Sequence, residues 1–523
     1  MHLAILYDGH SLAEWQRRAI ALIAEDHRLS YLVHETPGSQ NRNLLKHLFY
    51  YVLNLFTIRN RLNRAAPMPL PLDANIKRFM PLEDGMWSAL PADVLDWLRQ
   101  ERVDAVIKFG LSLLRIPDQA PPILSYHHGD PRAYRGRPAG LYEVLNGEPF
   151  VGQIVQVLSN KLDAGAVLAF TETRVHSHSY RKTLLEAYGV SPRLLPRALA
   201  ALAAGETLPL KPTGRNYRLP GNATVLRLVA GCAWNFANRL LYGAFVEKRW
   251  SVSTIALPPD SCLAGLGEAI ENVRESWATL PLLAGYTFNA DPFFHTGPSD
   301  ILVEAMNAKT GKGELVRFVD GAQRRIACPP GAHTSYPQTI EQDGVLYVVP
   351  ETADWSPPAV FAIEGDALRL VQLLDIDVAS LIDPTLFRLA GHIYLFGNRD
   401  DGDPGALHLW VATGLFDRFE LHPASPIFVG SRGSRMAGEI SMDGEQPVRL
   451  GQDCRKGYGD GVVCFRIDHL DPAHYRETFL SALSFTGVSG PHTLNRRGGT
   501  FLFDWYVERK SPLAGVRRLL NRL

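Results

Sequence analysis

The stretch ILSYHHGDPRAYRGRPAG, residues 123–140, decides how the first half of this chain is read. An apolar run stops at two adjacent histidines. Gly129-Asp130-Pro131 follows, and then a turn built on Arg135-Gly136-Arg137-Pro138. A short apolar run bounded by turn residues reads as a buried strand. Imidazoles and a carboxylate at its end place titratable groups where a strand leaves the core.

Working back toward the N-terminus, HLAILYD (residues 2–8) and DAVIKFG (residues 104–110) are further compact apolar runs. HRLSYLVHE reads as another strand. Between them, Ser11 with Glu14 has the spacing of a capping box and predicts a helix running to about Ala24. PADVLDWLRQERV predicts a second helix, with Leu95, Trp97 and Leu98 turned inward. Strand–helix–strand alternation predicts an α/β, doubly wound parallel sheet. In such sheets ligands bind beyond the carboxyl ends of the strands, where Gly110 and His127 fall. No GxGxxG follows the first strand and no GxxxxGK[ST] occurs, so neither a dinucleotide nor a phosphate-cradling loop is supported.

Working forward, GQIVQVLSNKLDAGAVLAF (residues 152–170) predicts a strand, a connection holding Asp163-Ala164-Gly165, and a second strand. Asp163 lies 36 residues after His127. The paired elements HHGDPRAYRG and DAG resemble the folate-dependent formyltransferases, whose signature is Asn-x-His-Pro-Ser-x-Leu-Pro-x-Tyr-Arg-Gly followed some 36 residues later by Asp-x-Gly. The resemblance covers roughly residues 1–200. It places His127 on the family histidine, Asp163 on the family aspartate and Ser125 where the family has asparagine. It implies 10-formyltetrahydrofolate as cosubstrate, with Gly110, Leu111, Arg135 and Gly165 around it. Formyl transfer to an amine passes through a tetrahedral oxyanion, which needs a hydrogen-bond donor and a proton acceptor. A histidine oriented by a carboxylate supplies both. His128 and Asp130 stand where the family has Pro-Ser-Leu, and Asp130 is a further candidate for contact with the acceptor amine. A metal bound by His127, His128, Asp130 and Asp163 is disfavoured because adjacent histidines point apart, so no metal is expected.

Beyond a helical stretch the composition turns to short aromatic strands, Gly and Pro. A unit of strand, turn and apolar strand recurs from Asp291, Tyr336, Asp383, Arg435 and His492, at spacings of 45, 47, 52 and 57 residues. Five such units predict an all-β five-bladed propeller. The expected divisions are 1–215 for the α/β domain, 216–250 for a helical linker, 251–510 for the propeller and 511–523 for a basic amphipathic tail. The second half resembles the propellers of arabinanase-like glycosidases and the N-terminal module of plant glucosamine inositolphosphorylceramide transferase. That resemblance implies a polar funnel for a saccharide, with Asp291, Glu351, Asp383, Arg435, Glu439, Asp453 and His492 as its candidate residues.

With 523 residues the chain exceeds one core. Lys plus Arg and Asp plus Glu are both 54, which argues against a nucleic-acid partner. Five cysteines without a CxxC indicate neither a disulfide framework nor a zinc site. MHLAILYDGH has no basic leader and no apolar run reaches spanning length, so a cytoplasmic protein is expected. HLFYYVLNLFTI, LVAGCAWNFANRLLYGAF and SPLAGVRRLLNRL flank basic residues and allow peripheral contact with a membrane, though core or inter-domain helices share this pattern. The function expected is N-formylation of an amino sugar, a nucleotide-linked one destined for surface polysaccharide. The alternatives are a catalytically degenerate carbohydrate-binding or assembly protein, and a bifunctional protein with a glycosidase propeller.

Overall fold

The computed structural model describes residues 1–520 apart from 10, 36–43, 59, 69–73, 85–86, 111–112, 162, 259–260, 262, 330–331, 353 and 400–404. It divides into two compact units, Met1–Arg239 and Leu240–Leu523.

The first unit is built on a seven-stranded sheet. Its strands are β1 (His2–Asp8), β2 (Arg28–His34), β3 (Ile76–Phe79), β4 (Ala105–Lys108), β5 (Ile123–His127), β6 (Phe150–Val157) and β7 (Ala166–Arg174). Their spatial order is β7-β6-β5-β4-β1-β2-β3. From β3 to β5 neighbours run parallel, whereas β6 is antiparallel to β5 and β7 to β6. The sheet is therefore mixed, not wholly parallel. For β6 and β7 the cause is local: the short connection through Asp163 returns the chain directly, which only an antiparallel pair allows.

Both faces of the sheet are covered. Leu3, Ile5, Ile107 and Leu124 belong to one apolar core, and Ala4, Leu6, Val106 and Ile123 to another. Successive residues of a strand point to opposite faces, so continuous apolar runs fit strands buried on both sides. The helices are α1 (Glu14–Ala21), α2 (Leu48–Leu53), α3 (Ala92–Gln100), α4 (Leu141–Asn146), α5 (Tyr180–Val190), α6 (Leu194–Ala204) and α7 (Asn222–Phe245). The expected Ser11 cap is displaced. Ser11–Ala13 is extended, α1 begins after Ala13, and the Gln16 side chain accepts the Ala13 N–H at 2.8 Å.

The second unit is a ring of five sheets. The innermost strands are Tyr286–Phe294, Ser335–Gln342, Leu381–Leu389, Arg432–Met436 and Leu494–Arg497. Each continues outward through antiparallel neighbours. The last blade closes the ring: Thr500–Lys510 pairs along its length with Val246–Ala256, the first strand of the unit. A strand thus begins at Val246, inside the stretch expected to be a linker. Two further helices, α8 (Leu266–Asn272) and α9 (Ala514–Leu520), flank the ring.

Three inner strands share one irregularity. Asp291, Tyr336 and Asp383 each precede proline and hold φ of 45°, 48° and 50°. The strand register shifts at each of these points. Proline removes a ladder donor and disfavours the helical region for its predecessor, and a bulge of this kind re-aims a side chain. The recurring X-Pro pairs of the sequence are these bulges.

Candidate functional site

His127 ends β5 and is buried. Its Nδ1 lies 3.6 Å from Asp163 Oδ1, and its Nε2 lies 3.0 Å from the Tyr134 carbonyl oxygen. Nε2 is within hydrogen-bond distance of its oxygen, while the carboxylate stands just beyond that distance from Nδ1. Asp163 holds φ of 43° on its loop, and its Oδ2 accepts the Gly136 N–H at 2.7 Å. The loop is pinned behind it, where Gly165 N–H donates to Gln156 Oε1 at 3.0 Å. A Cβ at Gly165 would stand 1.8 Å from the Val157 carbonyl oxygen, so only glycine lets the loop approach β6 so closely.

The two histidines have separate duties. His128 points to the other face, accepts or donates at 2.8 Å to Ser191 Oγ, and packs among the rings of Trp15, Tyr126 and Tyr188. Burial, aided by the nearby His127, pulls it down to about 3, so it is a neutral core residue. Asp130 is likewise taken: Arg132 grips it with Nε at 2.9 Å and a terminal nitrogen at 2.7 Å. Asp130 thus has Arg132 as its charge partner.

Ser125 sits two residues before His127 and so on the same sheet face. It registers opposite Lys108 of β4 and Gln156 of β6. The expected cofactor residues divide. Arg135 Nε donates to the Gly214 carbonyl at 2.8 Å. Gly110 leaves room for another side chain, since a Cβ there would meet Asp8 Oδ1 at 2.3 Å. Gly165 serves the loop as described, and Leu111 lies outside the described residues.

Sequence reasoning missed polar side chains on the same face. Asp8 registers opposite His34 at the ends of β1 and β2, whereas Lys108 of β4 registers opposite Leu6 of β1 and Ser125 of β5, two residues further back. Asp8 Oδ1 lies 2.8 Å from His34 Nδ1. Lys108 is buried, donates to the Gly110 carbonyl at 2.6 Å, and is drawn down to about 8 by burial, against the opposing field of Asp8. Among the described residues no carboxylate comes within ion-pair distance of it. The signal was present as a lysine inside the apolar run of β4. Glu143, at the start of α4, was also missed. Burial pushes its carboxyl up to about 8, and its Oε1 is buried with no hydrogen-bond partner. Glu143 lines a cavity with His127, Tyr134, Arg137 and Tyr142 of ≈ 10 Å³, about the volume of one water.

In the propeller, the blade positions converge. Arg435 grips Asp383 with Nε at 2.7 Å and a second nitrogen at 3.0 Å, and Gln452 donates to the same carboxylate at 3.2 Å. Glu351 accepts the Asp383 N–H at 2.9 Å. His492 lies between Asp291, at 3.2 Å, and Asp504. Burial opposes its charge, but the carboxylates of Asp504 and Asp291 hold it well above the ordinary histidine range. Burial then Asp383 push Glu351 up to about 8, and burial then Asp291 push Glu304 well above the usual carboxylate range. Tyr458 lies under the Arg435 guanidinium at 5.2 Å and beside the His492 ring at 5.1 Å.

Two expected funnel residues stand apart from these pairs. Asp453 binds Arg455 through contacts of 2.9 and 2.7 Å. The Glu439 N–H donates to Asn495, and burial pushes its carboxyl up to about 7. Glu304, Asp504 and Tyr458 were not foreseen, because they lie outside the repeat position that aligns the blades.

Residues 284–489 match the family described as glucosamine inositolphosphorylceramide transferase 1, N-terminal. The chain is 26% identical over 204 residues to glucosamine inositolphosphorylceramide transferase 1 of Arabidopsis thaliana, covering 36% of this chain and 27% of that protein. The protein of the same name from Oryza sativa subsp. japonica is 25% identical over 213 residues, covering 38% and 29%. The chain thus spans under a third of the length of these curated relatives. Among solved structures, a sugar N-formyltransferase from Shewanella sp FDAARGOS_354 is similar at 14% identity, covering 42% of this chain and 76% of that one, with a TM-score of 0.27. A family 117 glycoside hydrolase from Zobellia galactanivorans is similar at 13% identity, covering 42% and 83%, with a TM-score of 0.30.

Proposed function

We propose that the N-terminal unit transfers a formyl group from 10-formyltetrahydrofolate to the amine of an amino sugar, and that the propeller binds a saccharide. The observation that carries this reading is the 3.6 Å approach of Asp163 to His127 at the carboxyl end of β5. When bound, the folate would supply the formyl carbon and its carbonyl oxygen. The donor chemistry of the chain suits that carbonyl, but the cavity of ≈ 10 Å³ that His127 lines does not hold a folate as it stands. For Nε2 to face the folate, it would have to leave the Tyr134 carbonyl.

With a folate bound, Nε2 would be the donor toward its carbonyl oxygen, and Asp163 would orient the ring from the Nδ1 side. Asp163 is itself held by the Gly136 N–H. Lys108, registered beside Ser125, is the nearest cationic substitute for the amide that Ser125 lacks. One donor of this kind contributes about 2.7–4 kcal/mol to lowering such a barrier. Glu143 holds a proton at neutral pH and can pass it within the cavity.

The closed cavity and Ser125 favour a second reading, a catalytically degenerate module on a carbohydrate-binding propeller. Purified protein with 10-formyltetrahydrofolate and a panel of nucleotide-linked amino sugars separates the two. Formyl transfer abolished in His127→Asn supports the first. Saccharide binding without turnover or folate binding supports the second.

A further inference from the structure

Large apolar side chains stay exposed in three places: seven on residues 44–56, seven on residues 226–245 and three on residues 513–519. The most open are Leu45 at 82%, Phe56 at 71% and Trp234 at 69%. Contiguous exposed apolar surface of this kind marks an interaction site.

In the N-terminal unit, residues 45–49 are tied to the start of α7. Asn222 Oδ1 accepts the Phe49 N–H at 3.0 Å, Asn222 Nδ2 donates to the Leu45 carbonyl at 2.8 Å, and His47 Nδ1 lies 2.8 Å from the Pro220 carbonyl. In the C-terminal unit, Arg518 donates to the carbonyls of Gly243 and Val246 and fastens α9 beside the end of α7. A groove of ≈ 530 Å³ lies there, lined by Leu241, Tyr242, Phe245 and Pro512 among others.

Charge identifies what covers these surfaces. Residues 44–64 carry Lys46, Arg59, Arg61 and Arg64, residues 222–245 carry Arg227 and Arg239, and residues 511–523 carry Arg517, Arg518 and Arg522. None of the three segments contains Asp or Glu, in a chain whose net charge is zero. A second copy docking face to face would set this basic surface against itself. An anionic surface complements it. Among the described residues no helix is long and apolar enough to cross a membrane, so these helices lie along an interface instead.

We infer that the N-terminal unit binds the surface of an anionic lipid bilayer through the exposed apolar side chains of residues 44–56 and of the first part of α7, residues 222–239. The apolar side chains enter the headgroup boundary and the flanking arginines meet lipid phosphates. The full chain is tested by flotation with phosphatidylcholine vesicles, with and without phosphatidylglycerol. Expected are flotation with the anionic vesicles only, weakening as salt is raised, and a partition coefficient at least about tenfold lower in Leu45→Asp/Trp234→Asp. Both positions are solvent-facing, and a thermal melt matching wild type confirms the fold. Arg227→Glu/Arg239→Glu tests the charge separately and weakens flotation while leaving the apolar face intact. Three results would overturn the inference: no flotation with anionic vesicles, equal flotation with neutral ones, or a dimer in sedimentation that the same variants dissolve while vesicles are ignored.

Discussion

Lys108→Met tests whether the buried lysine of β4 is retained for chemistry or for the fold. A lysine in the unfolded chain titrates near about 10.4, while burial brings Lys108 to about 8. That gap corresponds to about 3 kcal/mol of unfavourable free energy in the folded state at neutral pH. Below pH 8 both states hold the proton and the full cost is present. Between pH 8 and about 10.4 the folded chain has released the proton and the unfolded chain keeps it, so stability rises with pH. Methionine removes the charge at similar length but leaves the Gly110 carbonyl without its donor, which costs about 1–3 kcal/mol. The variant should be between equal to wild type and about 2 kcal/mol more stable at pH 7. Its stability should also lose the rise between pH 8 and 10.4. Hydrogen exchange of peptides from β4 and β5 across that pH range measures this within the N-terminal unit. Formyl transfer should fall at the same time. A variant that is strongly destabilised at pH 7, with the slope retained, would show the ammonium to be a structural support and would refute the reasoning.

Four other substitutions read separate parts of the molecule. His127→Asn should lower formyl transfer by about 10²–10⁴-fold with an unchanged melting temperature, measured by product mass. Gly165→Ala forces a Cβ against the Val157 carbonyl, so it should both lower the melting temperature and disorient Asp163, seen as a parallel loss of activity. Arg435→Leu leaves the buried Asp383 carboxylate without its cation and should destabilise the propeller by about 3–5 kcal/mol in urea unfolding. Glu304→Gln mimics a carboxyl that already carries its proton, so calorimetry should find stability at pH 7 within about 0.5 kcal/mol of wild type.

What the sequence made legible follows from where physical constraint is one-dimensional. β1, β4 and β5 are buried on both faces, so each appears as an uninterrupted apolar run, and all three were placed within two residues. The blade starts were legible because a bulge before proline repeats in Asp291-Pro292 and Asp383-Pro384. The direction of β6 and β7 was not, since an apolar run carries no polarity and only the length of the Asp163 connection hints at an antiparallel return. The helix start after Ala13 was misread because Ser11 offered the right side chain at the right spacing, while the backbone there pairs as a strand with residues 65–67.

The site divides along the same line. His127 and Asp163 were paired through the resemblance of their two motifs and spacing to one family, and the fold brings them within 3.6 Å. Lys108 and Glu143 were not legible, because what makes them unusual is the burial of a charged group, and burial is set by the strands and helices around it. Two adjacent histidines look alike in sequence, yet strand alternation sends one to Asp163 and the other to Ser191 among aromatic rings. The same alternation puts Asp8 beside His34 and Lys108 beside Ser125, on strands far apart in the chain. Each of those residues is an ordinary polar side chain near the end of an apolar run when taken singly. Only the sheet shows that the lysine is buried, with the Gly110 carbonyl as its hydrogen-bond acceptor.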